Sequence, residues 1–161
     1  MHTISIFCGL QKLNTLNLRH FHPPLNPCNH FSTVLIKTNW HTISCKYNWC
    51  SGLTSITIPS SVTSLGEDCF YNCSGLTSIT IPSSVTSLGG SCFWSCLNLE
   101  SVYFKGKYCN SRYTNLQIPT TSIIMVPTEY LQEYKDSFGP DYKYIYAWNP
   151  DETGYDNKPV T

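Results

Sequence analysis

The apolar positions of this chain recur in a fixed frame. From Cys50 the frame runs through Leu53, Ile56 and Ile58, then Val62 and Leu65, then Cys69 and Phe70, with polar or turn residues between, and it returns at Cys73, Leu76, Ile79 and Ile81. Within each LxxIxI stretch the period of two predicts a short strand that sends Ile56 and Ile58 to one face and Ser55 and Thr57 to the other. A proline cannot donate to the next ladder bond, so Pro59 and Pro82 are expected to turn the chain out of the sheet at equivalent places. Val62 and Leu65 bring it back towards the apolar side. Gly66 and Gly89 are read as tight turns, after which Cys69, Phe70 and Cys73 pass beneath the next strand.

The frame repeats as sequence, too. Cys50 to Asn72 and Cys73 to Ser95 are identical at 19 of 23 positions. A third copy opens at Cys96 and keeps Leu99, Val102 and Phe104 in place before it drifts. Upstream, Cys28, Phe31, Val34 and Ile36 fit at an offset of 22, and Trp40 and Ile43 continue onto Val62 and Leu65. Phe7, Leu10, Leu13, Leu16 and Leu18 form a weaker candidate for a first copy. One copy cannot bury its own apolar side, but stacking turns Leu53, Leu76 and Leu99, and Ile56, Ile79 and Val102, into continuous columns. The expected architecture is therefore a repeat solenoid with a parallel β-sheet on one face and mostly turns and irregular backbone on the other. Open ends of such a sheet pair with other chains unless they are capped.

The run CSGLTSITIPSSVTSLG followed by CF is similar to the BspA-like leucine-rich repeats of bacterial and protist surface proteins, and the likeness is strongest from Cys50 to Phe104. Family members commonly have Ala where this chain has Cys69 and Cys92, a change that keeps those sites small. Their repeats often finish with a strand, a Val-Pro step and a short helix, and Ile123 to Lys135, IIMVPTEYLQEYK, looks like that ending. The resemblance implies a non-catalytic adhesion module that binds proteins or glycans at the cell surface or after secretion. The ending is also sound physically: Pro127 suits a first helical position, Glu129 lies near the positive helix end and Lys135 further along. Leu131, Tyr134 and Phe138 recur at helical spacing and can cover the last repeat, while Tyr142, Tyr144, Tyr146 and Trp148 alternate like one further strand. The expected organisation is degenerate repeats over 1–49, well-formed repeats over 50–106, a capping region with a short helix over 107–148, and a polar tail over 149–161 expected to be disordered.

Composition narrows the partners. Charged residues make up 12% of the chain and the ten Lys and Arg balance the ten Asp and Glu, so the electrostatic term that dominates nucleic-acid affinity is missing and an anionic membrane gains little. No run reaches the eighteen or more apolar residues of a spanning helix, which argues against membrane insertion. The opening MHTISIFCGLQKLNTLNL has no basic residue before its short apolar run and does not read as a secretory signal. A surface or secreted location thus rests on the resemblance alone, and oligomeric state is not legible.

Nine cysteines invite chemistry, but the repeat sets their places: Cys28, Cys50, Cys73 and Cys96 share one position, Cys69 and Cys92 another. Equivalent Cα atoms on neighbouring repeats fall within disulfide range. Yet stacked side chains point the same way and the count is odd, so a ladder of buried thiols is the preferred reading. A metal site at Cys69, Cys73, Cys92 and Cys96 would need tetrahedral convergence, and none is expected. His20, His22, Cys28 and His30 cluster in a proline-rich segment, but scattered surface histidines are the preferred reading. All five histidines lie within the first 41 residues, too far along a stack to serve as base for a nucleophile in the later repeats. No catalytic residue and no cofactor are expected. The sequon at Asn72, Cys73 and Ser74 places its middle residue in the cysteine column and is read as accidental. The candidate interaction face is the outward side of the strands, where Ser55, Thr57, Ser78, Thr80 and Ser101 form hydroxyl rows that end in the aromatic Tyr103. Ser and Thr also favour solvated strands for their own sake, so only Tyr103 carries a functional preference. Two alternatives stand beside the adhesion module: a truncated structural piece of a longer repeat protein, and an enzyme, favoured only by the abundance of cysteine.

Overall fold

A computed structural model describes residues 3–5, 33–35, 41–44, 51–109 and 116–149. The frame becomes two families of short strands. One comprises β2 (Thr33–Leu35), β4 (Ser55–Thr57), β6 (Ser78–Ile81) and β8 (Ser101–Phe104), continued by β9 (Ile123–Pro127) and β10 (Ile145–Trp148). The other comprises β1 (Thr3–Ser5), β3 (Thr42–Ser44), β5 (Ser64–Leu65) and β7 (Ser87–Leu88). Every pairing is parallel, and the sheets remain open at their edges.

The registers follow the frame. Val34 lies opposite Ile56, Ile79 opposite Val102, and Ile43 opposite Leu65, which is the 22- and 23-residue alignment read from the sequence. The second ladder corrects the expectation of irregular backbone away from the main sheet: Ile4, Ile43, Leu65 and Leu88 also stand in parallel register. Its strands are short because each repeat spends only a few residues there before the glycine turn. Phe7, Leu10, Leu13, Leu16 and Leu18 fall outside the described residues, as do His20, His22, Cys28 and His30 and the tail beyond Asn149.

The turns on the remaining side are also bonded between repeats. Phe70 N–H donates to the Cys92 carbonyl at 2.8 Å, Asn72 N–H to Trp94 at 2.7 Å, and Phe93 N–H to Leu116 at 3.0 Å. Left-handed backbone is found at Asp68, Asn72, Ser91 and Ser95, two equivalent pairs, rather than at the glycines read as turns. Asn, Asp and Ser tolerate this region better than bulkier residues. Gly89 is needed for a different reason: a Cβ there would lie 2.2 Å from Glu67 N and 2.3 Å from Gly66 C, so the preceding repeat passes too close for any side chain.

One continuous core results. Leu53, Leu76 and Leu99, Ile56, Ile79 and Val102, and Val62, Val85, Leu65 and Leu88 are all buried in it, and Phe70 stacks on Phe93 at 5.5 Å. Equivalent turns show where the third copy goes after it loses the frame. Leu76 N–H reaches the Cys73 carbonyl, Leu99 the Cys96 carbonyl, and Ser122 the Pro119 carbonyl. Ser122 therefore occupies the leucine column, where it is buried and its hydroxyl donates to the Leu99 carbonyl.

After β8 the chain adds β9, a short helix and β10. Pro127 is the last residue of β9, not the first of a helix; a 3-10 turn, Thr128–Tyr130, intervenes before α1, Leu131–Phe138. A β9 that pairs through Pro127 needs that turn to redirect the chain. Tyr134 is fully buried and Leu131 and Phe138 half-buried, so the helical stripe covers the core as its spacing implies. Tyr134 packs on Phe104 at 5.1 Å and on Tyr108 at 5.2 Å, and its hydroxyl donates to the Gly106 carbonyl at 3.0 Å. Gly139, with φ 78°, ends the helix. Tyr142 turns inward, its hydroxyl on the Ile118 carbonyl at 2.9 Å, so the final strand holds only Ile145 to Trp148 of the alternating run.

Candidate functional site

Ser78, Thr80, Ser101 and Tyr103 share one side of the β6–β8 pair, while Ser55 and Thr57 lie on β4, which pairs with β2 and packs beside β6. Ser55, Thr57, Ser78 and Thr80 are exposed, and Ser101 and Tyr103 are half-buried. Register places Ser78 beside Ser101 and Thr80 beside Tyr103, and carries the second row onward to Met125 on β9 and Tyr146 on β10. Alternation of a parallel strand does the positioning, because the same pleat that buries Ile79 and Val102 turns their neighbours to solvent.

The aromatic end of the face is larger than Tyr103. Trp148 meets it edge-on at 5.3 Å and 69°, reaching across β9. Lys105 Nζ lies 5.9 Å from the centre of the Trp148 ring, within range of a cation–π contact. Met125 sits in the same outward row, between Tyr103 and Tyr146 in register, is 5% exposed, and lies apart from the main core. Ile123 and Tyr144 remain exposed alongside. The result is a neutral, hydroxyl-lined strip that ends in a preassembled patch of ring faces and edges, with one cation at its margin. Such a patch can hold apolar or ring-shaped groups while the hydroxyls exchange hydrogen bonds with polar ones.

Sequence reasoning reached Tyr103 but not Lys105, Met125, Tyr146 or Trp148. The alternation of Tyr144, Tyr146 and Trp148 signals a strand, but the stretch between Phe104 and Ile123 has no frame from which register could be counted. A second aromatic pair also went unread: Tyr71 and Trp94 are equivalent positions that stack at 6.3 Å and 25° on the turn side.

The five described thiols lie inside. Cys73, Cys92, Cys96 and Cys109 are buried and free, and Cys69 is buried in the same column as Cys92. Cys96 Sγ donates to the Phe70 carbonyl at 2.9 Å and Cys109 Sγ to the Val85 carbonyl at 2.8 Å. Burial pushes the Cys96 thiol up to about 12, against the pull of a backbone bond from Cys73, and the Cys109 thiol up to about 11. A thiol so placed stays protonated at neutral pH and is a poor nucleophile. Among the described residues no three His, Cys, Asp or Glu side chains converge as a metal site would require, and no helix is long and apolar enough to cross a membrane. His41 is the one described histidine, with Nδ1 3.1 Å from the Ser61 carbonyl. Asn72 of the sequon is held by its backbone bond to Trp94 and is followed by the buried Cys73.

Residues 25–127 match a family model described as a BspA type leucine rich repeat region, in 6 copies. No curated protein and no solved structure matches the chain.

Proposed function

Because the chain belongs to the BspA-type leucine-rich repeat family, we propose that it is a non-catalytic adhesion module. In this reading it is a repeat solenoid of a surface or secreted protein, and its outward strand face takes a protein or glycan ligand. The observation that carries the reading is the patch of Tyr103, Trp148 and Lys105 at the end of the hydroxyl rows. Rigid aromatic anchors set beside adaptable polar groups are the usual source of binding energy on a surface otherwise poor in charge. The described cysteines support the non-catalytic part, since all five are held away from solvent and burial raises the thiol pKa of Cys96 and Cys109.

The test compares the full chain with Tyr103→Ala, Trp148→Ala and Ser78→Ala on arrays of glycans and of purified extracellular proteins. Either aromatic truncation is expected to weaken binding at least about tenfold, as hot-spot residues do, while Ser78→Ala stays within about twofold. Ligands retained in full by both aromatic variants would place the binding site elsewhere.

A further inference from the structure

The last strand of the main sheet has an unused side. Ile124 N–H donates to the Tyr144 carbonyl at 2.8 Å, which fixes the phase of the β9–β10 ladder. In a parallel pair the groups of alternate residues point to the same side, so Tyr144 and Tyr146 face β9. The N–H and C=O of Ile145 and Ala147 then point outward, and no described strand pairs with them. Beside the first half of that edge lies an open cavity of about 660 Å³, walled by Lys135 and Asp136 at the end of α1, by Tyr142 and Lys143, and by Ile145 and Tyr146.

The charges there are unevenly committed. Asp136 Oδ1 accepts from Gln132 Nε2 at 2.8 Å, one turn back along the helix, and Glu133 leans towards Lys107 at 3.9 Å. Lys135 and Lys143 are exposed, and among the described residues neither has a carboxylate within ion-pair distance. Two uncommitted cations thus stand next to a row of uncommitted backbone groups.

We propose that this edge docks an extended acidic peptide segment, which adds to β10 as a further strand and sets its carboxylates against Lys135 and Lys143. Main-chain bonds to Ile145 and Ala147 supply affinity without regard to sequence, and the lysines select acidic residues. A lone anion would use the cations but leave the edge unpaired. A second copy pairing through its own β10 would offer Lys143 to Trp148, a run with no carboxylate, to a cavity that asks for one.

The test uses the full chain and two labelled ten-residue peptides, one alternating Val with Glu and one alternating Val with Lys, followed by fluorescence anisotropy. Two variants separate the contributions. Lys135→Glu with Lys143→Glu reverses the charge, and Ala147→Pro removes an outward N–H while sparing the β9 ladder, as an edge strand tolerates. Circular dichroism checks that both fold; should Ala147→Pro not fold, the charge reversal alone decides. The Glu peptide is expected to bind the native chain, to lose at least about tenfold in either variant, and to be replaced by the Lys peptide on the charge-reversed one. Equal binding of the two peptides, or Glu-peptide binding indifferent to the charge reversal, overturns the proposal. Self-association of the native chain in sedimentation, lost in Ala147→Pro, would instead assign the edge to a second copy.

Discussion

Cys96 shows how one position in a repeat can be fixed by both shape and chemistry. Its side chain must be small enough to sit beneath the next strand, and its thiol finds the Phe70 carbonyl in a place that excludes water. The folded chain therefore holds as a thiol a group that the unfolded chain would ionise near its ordinary value of 9, and only ionises it at about 12. The sign follows from linkage: the stabilisation is complete below pH 9 and is lost as pH rises through 12, with Cys109 acting in the same direction up to about 11. Urea unfolding at pH 8 and pH 11 is expected to show the native chain losing stability over that interval, and Cys96→Ala losing less. An equal loss in both would remove Cys96 as a source. The columnar placement of Cys73 and Cys96, and of Cys69 and Cys92, was legible from the 23-residue offset alone, whereas Cys109 falls outside it. That Ser122 stands in the leucine column was not, because a polar residue breaks the pattern by which the column is recognised; only its bond to Leu99 makes it tolerable there.

At the scale of the element, the strands of the LxxIxI frame and their proline turns were readable, and the reason for the glycine turns was not. LxxIxI followed by proline specifies a short strand through local alternation and a missing donor. The glycine after Leu88 says only that something disfavours a side chain, and the cause lies on the neighbouring repeat. Gly89→Ala is expected to cost about 1–3 kcal/mol in denaturant unfolding, since the Cβ would press on backbone that cannot rotate away. Near-native stability would mean that the repeats slide apart easily at that turn. The helix gives a related lesson. Its stripe of Leu131, Tyr134 and Phe138 was correct, but Pro127 belongs to the strand before it, because β9 takes part in a ladder whose length is set by β8 and β10. Likewise the second ladder, built from pairs such as Ser64–Leu65 and Ser87–Leu88, is too short to announce itself by periodicity and exists through stacking.

For the whole molecule, α1 matters as a cover on the core beside β9 and β10. Tyr134 holds Phe104, Tyr108 and Phe138 together over the last repeats, and its hydroxyl is tied to Gly106. Tyr134→Ala is expected to cost about 3–5 kcal/mol, as removal of a buried aromatic does, and to promote association through the uncovered end of the core. Calorimetric melting and size-exclusion chromatography check the two parts, and a monomer that melts as before would deny that α1 protects the core. The candidate face divides in the same way as the fold. Its hydroxyl rows and Tyr103 follow from period-two alternation and the repeat offset. Trp148, Lys105 and Met125 join them across a stretch without repeat, where distance in sequence no longer measures distance in space. The sequence by itself determined the repeat, the strand face and the buried columns, since each depends on residues a few places apart or one offset apart. Only the tertiary structure decided which rings join the face, which edge is left open and which turns need glycine. Those outcomes depend on contacts between segments with no shared period, and packing alone chooses them.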